Sequence, residues 1–185
     1  MKYQVLTFGE KDADTLLIQM VDDHELKGIE KEVFRIRELT GGQRFFLKAV
    51  IVNDWNKDLS PWRAPAVFGN EDFGDGAEKT LQFLLDEILP APSAETEQAV
   101  KRIYIGGYSL AGLFALWAGY QADRFDGIAA ASPSIWFPCF TEYMRSHPLH
   151  TGRVYLSLGD REERTRNPVL SQVGNAIRDA KIILK

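Results

Sequence analysis

The stretch from Arg102 to Tyr120 reads RIYIGGYSLAGLFALWAGY, and its centre, Gly106-Gly107-Tyr108-Ser109-Leu110-Ala111-Gly112, decides the fold. RIYIGG (102–107) predicts a strand. LAGLFALWAGY (110–120) predicts a helix that is apolar all round and therefore buried. The residues between them fit the nucleophile elbow G-x-S-x-G, with Ala111 in place of the final glycine. The demand behind that pattern is steric. A strand that becomes a helix within about two residues holds its serine in a strained backbone conformation with the hydroxyl outward. Side chains on either flank would collide across the turn, so they must be small, as Gly107 and Ala111 are. The N–H of Leu110 then points toward a developing oxyanion. The competing reading is a glycine-rich turn with an incidental serine, and the strand, the buried helix and the small residues together favour the elbow. A phosphate loop would need G-x-x-x-x-G-K-[ST] or G-x-G-x-x-G, and Gly106-Gly107 begins neither.

Outward from this centre, apolar runs alternate with helical patterns. YQVLTF (3–8) and TLLIQMV (15–21) predict strands joined by a polar turn around Asp12 and Asp14. Ile29, Val33, Ile36 and Leu39 share one helical face, stopped by Gly41-Gly42. RFFLKAVIV (44–52) suits a strand buried on both faces. A long loop comes next (53–76), too apolar at Trp55, Trp62, Val67 and Phe68 to be a linker. Asp75 and Glu78 have the spacing of a capping box before the stripe Leu81, Leu84, Leu85, Ile88, Leu89, which Pro90 ends. FDGIAAAS (125–132) and VYLSLG (154–159) predict two further strands, with a mixed crossover (133–150) between them. Asn167 reads as an N-cap with Pro168 at the first position of a last helix that runs to the end. Strands alternating with helices predict one α/β domain over residues 1–185, a mainly parallel central sheet with helices on both faces.

Composition sets the outer bounds. The chain has 185 residues, 45% hydrophobic and 26% charged, with a net charge of −4. That is ordinary for a soluble globular domain, and it offers nothing to recruit nucleic acid or anionic lipid. Cys139 is the single cysteine, which excludes an internal disulfide and a cysteine-rich zinc site. With no signal-like start and no apolar run of about 20 residues, the expectation is a cytoplasmic protein without a membrane segment.

IGGYSLAGLFALWAGY, the SPSIWFP after the next strand (132–138), and VYLSLGDREERTRNP after the strand beyond together resemble the Putative esterase branch of the α/β-hydrolase superfamily. That branch includes esterase D-like and enterochelin esterase-like proteins. AVIVNDWNKDLSPWRAPAVFG is similar to the loop on the family's oxyanion side, so the likeness covers essentially the whole chain. It implies a carboxylic-ester hydrolase with Ser109 as acyl-accepting nucleophile. Leu110 supplies one oxyanion N–H, and the loop at Asp54 or Trp55 supplies the second. The family's G-x-x-D falls on Gly159-Asp160-Arg161-Glu162, which implies Glu162 as the acid, with Asp160 as second choice. Trp136 and Tyr108 would border the substrate, a small-molecule ester. No metal or organic cofactor is implied.

One part is absent from this pattern. In the superfamily the order along the chain is Ser, then Asp or Glu, then His. His24, His147 and His150 all precede Glu162. The chain also ends on the apolar run Ile182-Ile183-Leu184-Lys185, without a capping residue. The expectation is either a shortened form of a longer esterase or a homologue without its base, with little triad-dependent turnover in this 185-residue form. A non-catalytic binding or regulatory protein is the alternative. The strand at 154–159 is then a bare sheet edge that invites homo-oligomers.

Overall fold

The computed structural model describes residues 3–67, 69–89 and 100–185. Phe68 and Pro90, each assigned a role from the sequence, lie outside the described residues. Among the described residues six strands form one sheet: β1 (Gln4–Gly9), β2 (Thr15–Val21), β3 (Phe46–Ile51), β4 (Arg102–Tyr108), β5 (Gly127–Ala131) and β6 (Val154–Ser157). Their order is β1-β3-β2-β4-β5-β6. β1 runs antiparallel to β3, and every other pairing is parallel. The sheet is the expected α/β architecture. β1 and β2, adjacent in sequence, are not neighbours, because β3 lies between them.

Strand periodicity places helices on both faces. Leu16, Ile18 and Met20 of β2, with Ile103 and Ile105 of β4, join the larger core. That core is filled by α4 (Ala77–Phe83), α5 (Leu110–Gln121) and α6 (Phe140–Ser146), with Ala180 of α7 (Val173–Ile183). On the other face, Val21, Leu47 and Ala49 pack with Ile29, Val33 and Ile36 of α2 (Ile29–Leu39). All residues from Leu110 to Tyr120 in α5 are buried. α2 ends as expected, with Gly41 and Gly42 both at positive φ.

Three local expectations are corrected. Asp75 does not cap α4. Gly76 is the N-cap without a side-chain bond, and the Asp75 carboxylate instead accepts from Arg63 Nε at 2.9 Å. A capping box forms where none was expected, at Asp22 and Glu25, opening α1 (Asp23–Leu26). Asn167 is not the N-cap of the last helix. Its Oδ1 accepts from the N–H groups of Val169 and Leu170 at 3.0 and 3.1 Å, in the turn before a 3-10 segment (Leu170–Gln172) whose N-cap is Val169. α7 begins only after that segment, with Gln172 as its N-cap. The long loop, for its part, contains α3 (Trp55–Asp58) and a bridge between Ala64 and Phe73.

Phe114, on α5, has no exposed surface. Phe114→Ala removes a ring that no neighbour can replace, so stability should fall by about 3–5 kcal/mol. A urea titration reads this as a lowered midpoint.

Candidate active site

Parallel strands bring their carboxyl ends to one edge, where open α/β sheets bind ligands. β4, β5 and β6 are in register there, with Tyr108 opposite Ala131 and Ala131 opposite Ser157. The segments that leave these strands carry Ser109, Ser132 to Trp136, and Glu162. They meet around a cavity of about 240 Å3 lined by Tyr108, Ser109, Ser132, Ser134, Trp136 and Glu162, and closed by Thr165, Leu170 and Val173.

Ser109 has φ 56 and ψ −119, the strained conformation the elbow requires. The cause is visible in its flanks. A Cβ on Gly107 would lie 2.6 Å from the Ala111 Cβ and 2.7 Å from the Ala111 carbonyl carbon. A Cβ on Gly112 would lie 2.9 Å from the Gly107 carbonyl oxygen. The Ser109 N–H donates to Ala131 O at 3.0 Å, while the Ser109 carbonyl accepts from Leu113 and Ser134 N–H groups at 3.0 Å each. Leu110 is the first residue of α5, so its N–H has no acceptor within the helix.

The acidic turn resolves onto one carboxylate. Glu162 lines the cavity, and its Oε1 accepts from Ser132 Oγ at 2.6 Å and from the Gly159 N–H at 3.3 Å. Asp160 is turned to solvent, with 90% of its side chain exposed. Glu163, next along, pairs with Arg178 of α7. Trp136 borders the cavity, and its ring meets Phe73 edge-on at 6.1 Å. Tyr108 is 52% exposed. Desolvation, then the Glu162 and Glu25 charges, push its phenol above the ordinary value.

Asp54 and Trp55 are not brought to this cavity. They come after β3, and β2 stands between β3 and β4. The Asp54 carboxylate caps α3, accepting from the Lys57 N–H at 3.1 Å. The segment beside Ser109 is instead the one after β2. Gln19 is paired with Gly106, which sets Val21 level with Tyr108 and Asp22–Asp23 level with the elbow. His24, Glu25 and Tyr108 line one neighbouring cavity. In that segment the N–H groups of His24 and Glu25 are taken by Asp22 Oδ1. The Asp23 N–H has no acceptor among the described residues.

Two hydroxyls at the site are not predicted by the sequence. Ser132 contacts Glu162, and Ser134 Oγ lies 3.3 Å from Ser109 Oγ. Both stand in SPSIWFP, from which the resemblance singles out only the tryptophan. The signal that could have found them is a pair of serines flanking a proline directly after the strand beside the elbow.

No histidine is among the residues lining the Ser109 cavity. His147 stacks on Tyr143, ring centroids 4.0 Å apart, at the end of α6. His150 lies before β6, at the amino ends of the strands and across the sheet from Ser109. No cluster of His, Cys, Asp and Glu among the described residues has the arrangement of a metal site.

Residues 46–180 match the family described as Putative esterase. The chain belongs to that family. Solved structures agree with the fold. The IroE-like serine hydrolase from Shewanella oneidensis superposes with a TM-score of 0.71 at 16% identity, covering 99% of this chain and 70% of that one. Siderophore hydrolase EstA from Aspergillus nidulans gives 0.66 at 22% identity, covering 98% and 73%. The enterobactin esterase FES from Shigella flexneri gives 0.61 at 18%, covering 98% and 48%. No curated protein matches the chain. Among the described residues no helix is long and apolar enough to cross a membrane.

The steric basis of the elbow can be tested directly. Gly107→Ala should cost about 1–3 kcal/mol through overpacking against Ala111. Gly152→Ala, whose added Cβ meets nothing within 4 Å, should change stability by less than about 0.5 kcal/mol. Thermal melts of the two variants side by side check the difference.

Proposed function

We propose that this member of the esterase family is a serine carboxylic-ester hydrolase that forms its acyl-enzyme on Ser109. The observation that carries the reading is Ser109 at positive φ, facing Glu162 across one small cavity. In this reading Ser109 Oγ attacks the ester carbonyl carbon. The carbonyl oxygen becomes an oxyanion between the N–H groups of Leu110 and Asp23, donors fixed before the reaction begins. The C–O bond to the alcohol breaks as the carbonyl reforms, the alcohol leaves with a proton, and water later releases the acid. Trp136, Leu170 and Val173 bound the space for the acyl group. A cavity of about 240 Å3 favours a short chain or a single ring. The steps draw on no metal or organic cofactor.

The difficulty is the proton of Ser109. Hydroxyl oxygens are poor nucleophiles until a base removes it, and Ser134 Oγ, its partner at 3.3 Å, is no base. We therefore assign the 185-residue chain impaired turnover, with oxyanion stabilisation and binding left to act alone. Removing one member of a triad leaves roughly 10³–10⁴-fold acceleration over water. That same gap supports a second reading, a protein that binds esters at this cavity without turning them over.

A fluorophosphonate probe and short-chain nitrophenyl esters separate the two. The expected result is slow modification at Ser109, seen by peptide mass mapping and abolished by Ser109→Ala, with weak ester turnover. Labelling that survives Ser109→Ala, or none at Ser109, would favour the binding reading. Rapid, Ser109-dependent turnover would show that a base is supplied after all.

Among the described residues β6 has a strand neighbour on one side, with Tyr155 63% exposed, and this edge is where two copies would pair. Size-exclusion chromatography over a range of concentrations should show dimers, and a monomer throughout would remove the proposal.

A further inference from the structure

The turn Ser132-Pro133-Ser134 carries two buried hydroxyls, and the one on Ser132 has no part in the reaction just described. Its backbone is unusual. Ser132 has φ 42, a region that favours glycine or asparagine over other residues. Glycine would relieve that strain. What glycine lacks is the Oγ that donates to Glu162 Oε1 at 2.6 Å, the length of a charge-assisted bond. The Ser132 N–H is itself fixed, donating to Ser157 O at 2.9 Å across the ends of β5 and β6.

Glu162 needs such a tether. It opens a 3-10 turn of three residues, none of them buried. The N–H of Gly159 adds a second donor to the same oxygen at 3.3 Å, and a Cβ there would stand 2.6 Å from it. Oε1 is thus doubly engaged, while Oε2 has no donor among the described residues. A carboxylate held by one oxygen keeps the other for a donor entering the cavity.

We infer that Ser132 is a positioning residue for Glu162, retained at a strained backbone angle because its hydroxyl holds the acid in place. This rests on the reading of Glu162 as the catalytic acid, and the test keeps the two apart. Ser132→Gly accommodates the backbone and removes the hydroxyl. Ser132→Asn also tolerates positive φ and restores a donor. Since no histidine lines the cavity, free imidazole is supplied as the base, and the rate of fluorophosphonate modification of Ser109 is followed with and without it.

The imidazole-dependent increment should fall about tenfold in Ser132→Gly, the effect of a misplaced catalytic group, and recover in part in Ser132→Asn. The melting temperature of Ser132→Gly should not drop. An unchanged increment in Ser132→Gly overturns the inference. If imidazole does nothing in the unaltered protein, or its effect survives Glu162→Gln, the role of Glu162 as acid has failed. The 13C resonance of the Glu162 carboxyl then decides on Ser132. A resonance shifted and broadened by Ser132→Gly and recovered in Ser132→Asn supports the tether, and one that does not move refutes it.

Discussion

Gly107 packs against Ala111 with no room for a side chain between them, and the rest of the site depends on that contact. With only hydrogen at 107, the last residues of β4 can run against the first turn of α5, which leaves Ser109 to make the bend alone. A non-glycine residue at φ 56 costs roughly 1–3 kcal/mol and persists only where its surroundings hold it. Here they do so through three backbone bonds, one to β5, one within α5 and one to the turn after β5. Relaxing Ser109 would break all three. The strain is thus locked by the sheet and helix that also form the core, and the Ser134 hydroxyl at 3.3 Å is the side-chain partner of the Ser109 hydroxyl.

The same close packing draws in the next element. A Cβ on Gly112 would meet Pro133 as well as Gly107, so α5, β4 and the Ser132-Pro133-Ser134 turn fit together only because small residues line their junction. That turn delivers one hydroxyl to each side, Ser134 toward Ser109 and Ser132 toward Glu162. Parallel pairing of β5 with β6 brings the ends of both strands, and so this turn and the segment that carries Glu162, to the same edge. Ser109 and the Ser132-Pro133-Ser134 turn directly follow β4 and β5, where a site of defined geometry is best built, whereas Glu162 stands on a turn after β6 and is held by Ser132 and Gly159.

This hierarchy explains what the sequence made readable. Elements with strong periodicity or continuous apolar character, such as β3, β4, α2 and α5, could be placed from local pattern alone. The elbow was legible because its demand is local and steric. Glu162 was marked only by the resemblance, with Asp160 left open beside it, because an acidic turn by itself reads as a solvated one. Strand order was not legible, since it is decided by which faces find partners across the whole chain. The resemblance alone put Asp54 and Trp55, which come after β3, beside Ser109, whereas the strand beside β4 is β2. Asp75 and Glu78 show the same limit at smaller scale. Their spacing suits a capping box, but Arg63, twelve residues away, takes the carboxylate. The roles of Ser132 and Ser134 depend on a positive φ and on contacts to residues 30 and 25 positions distant, which no local spacing encodes.

The three histidines show how separable the parts of such a site are. In the proposed reading the oxyanion donors, the cavity walls and the Glu162 carboxylate come from strand ends and the turns after them. Their arrangement is settled once the sheet has formed. A general base has a different requirement, because its ring must reach both Ser109 Oγ and a Glu162 oxygen, so it must enter from above the sheet edge. His147 is held against Tyr143 at the end of α6, and His150 lies at the far ends of the strands. His24 is at the correct edge, but in the cavity beyond Tyr108. If the proposed reading holds, electrostatic preorganisation and proton transfer are built on different elements of this fold, and a base would have to meet Glu162 at Oε2, which has no donor among the described residues.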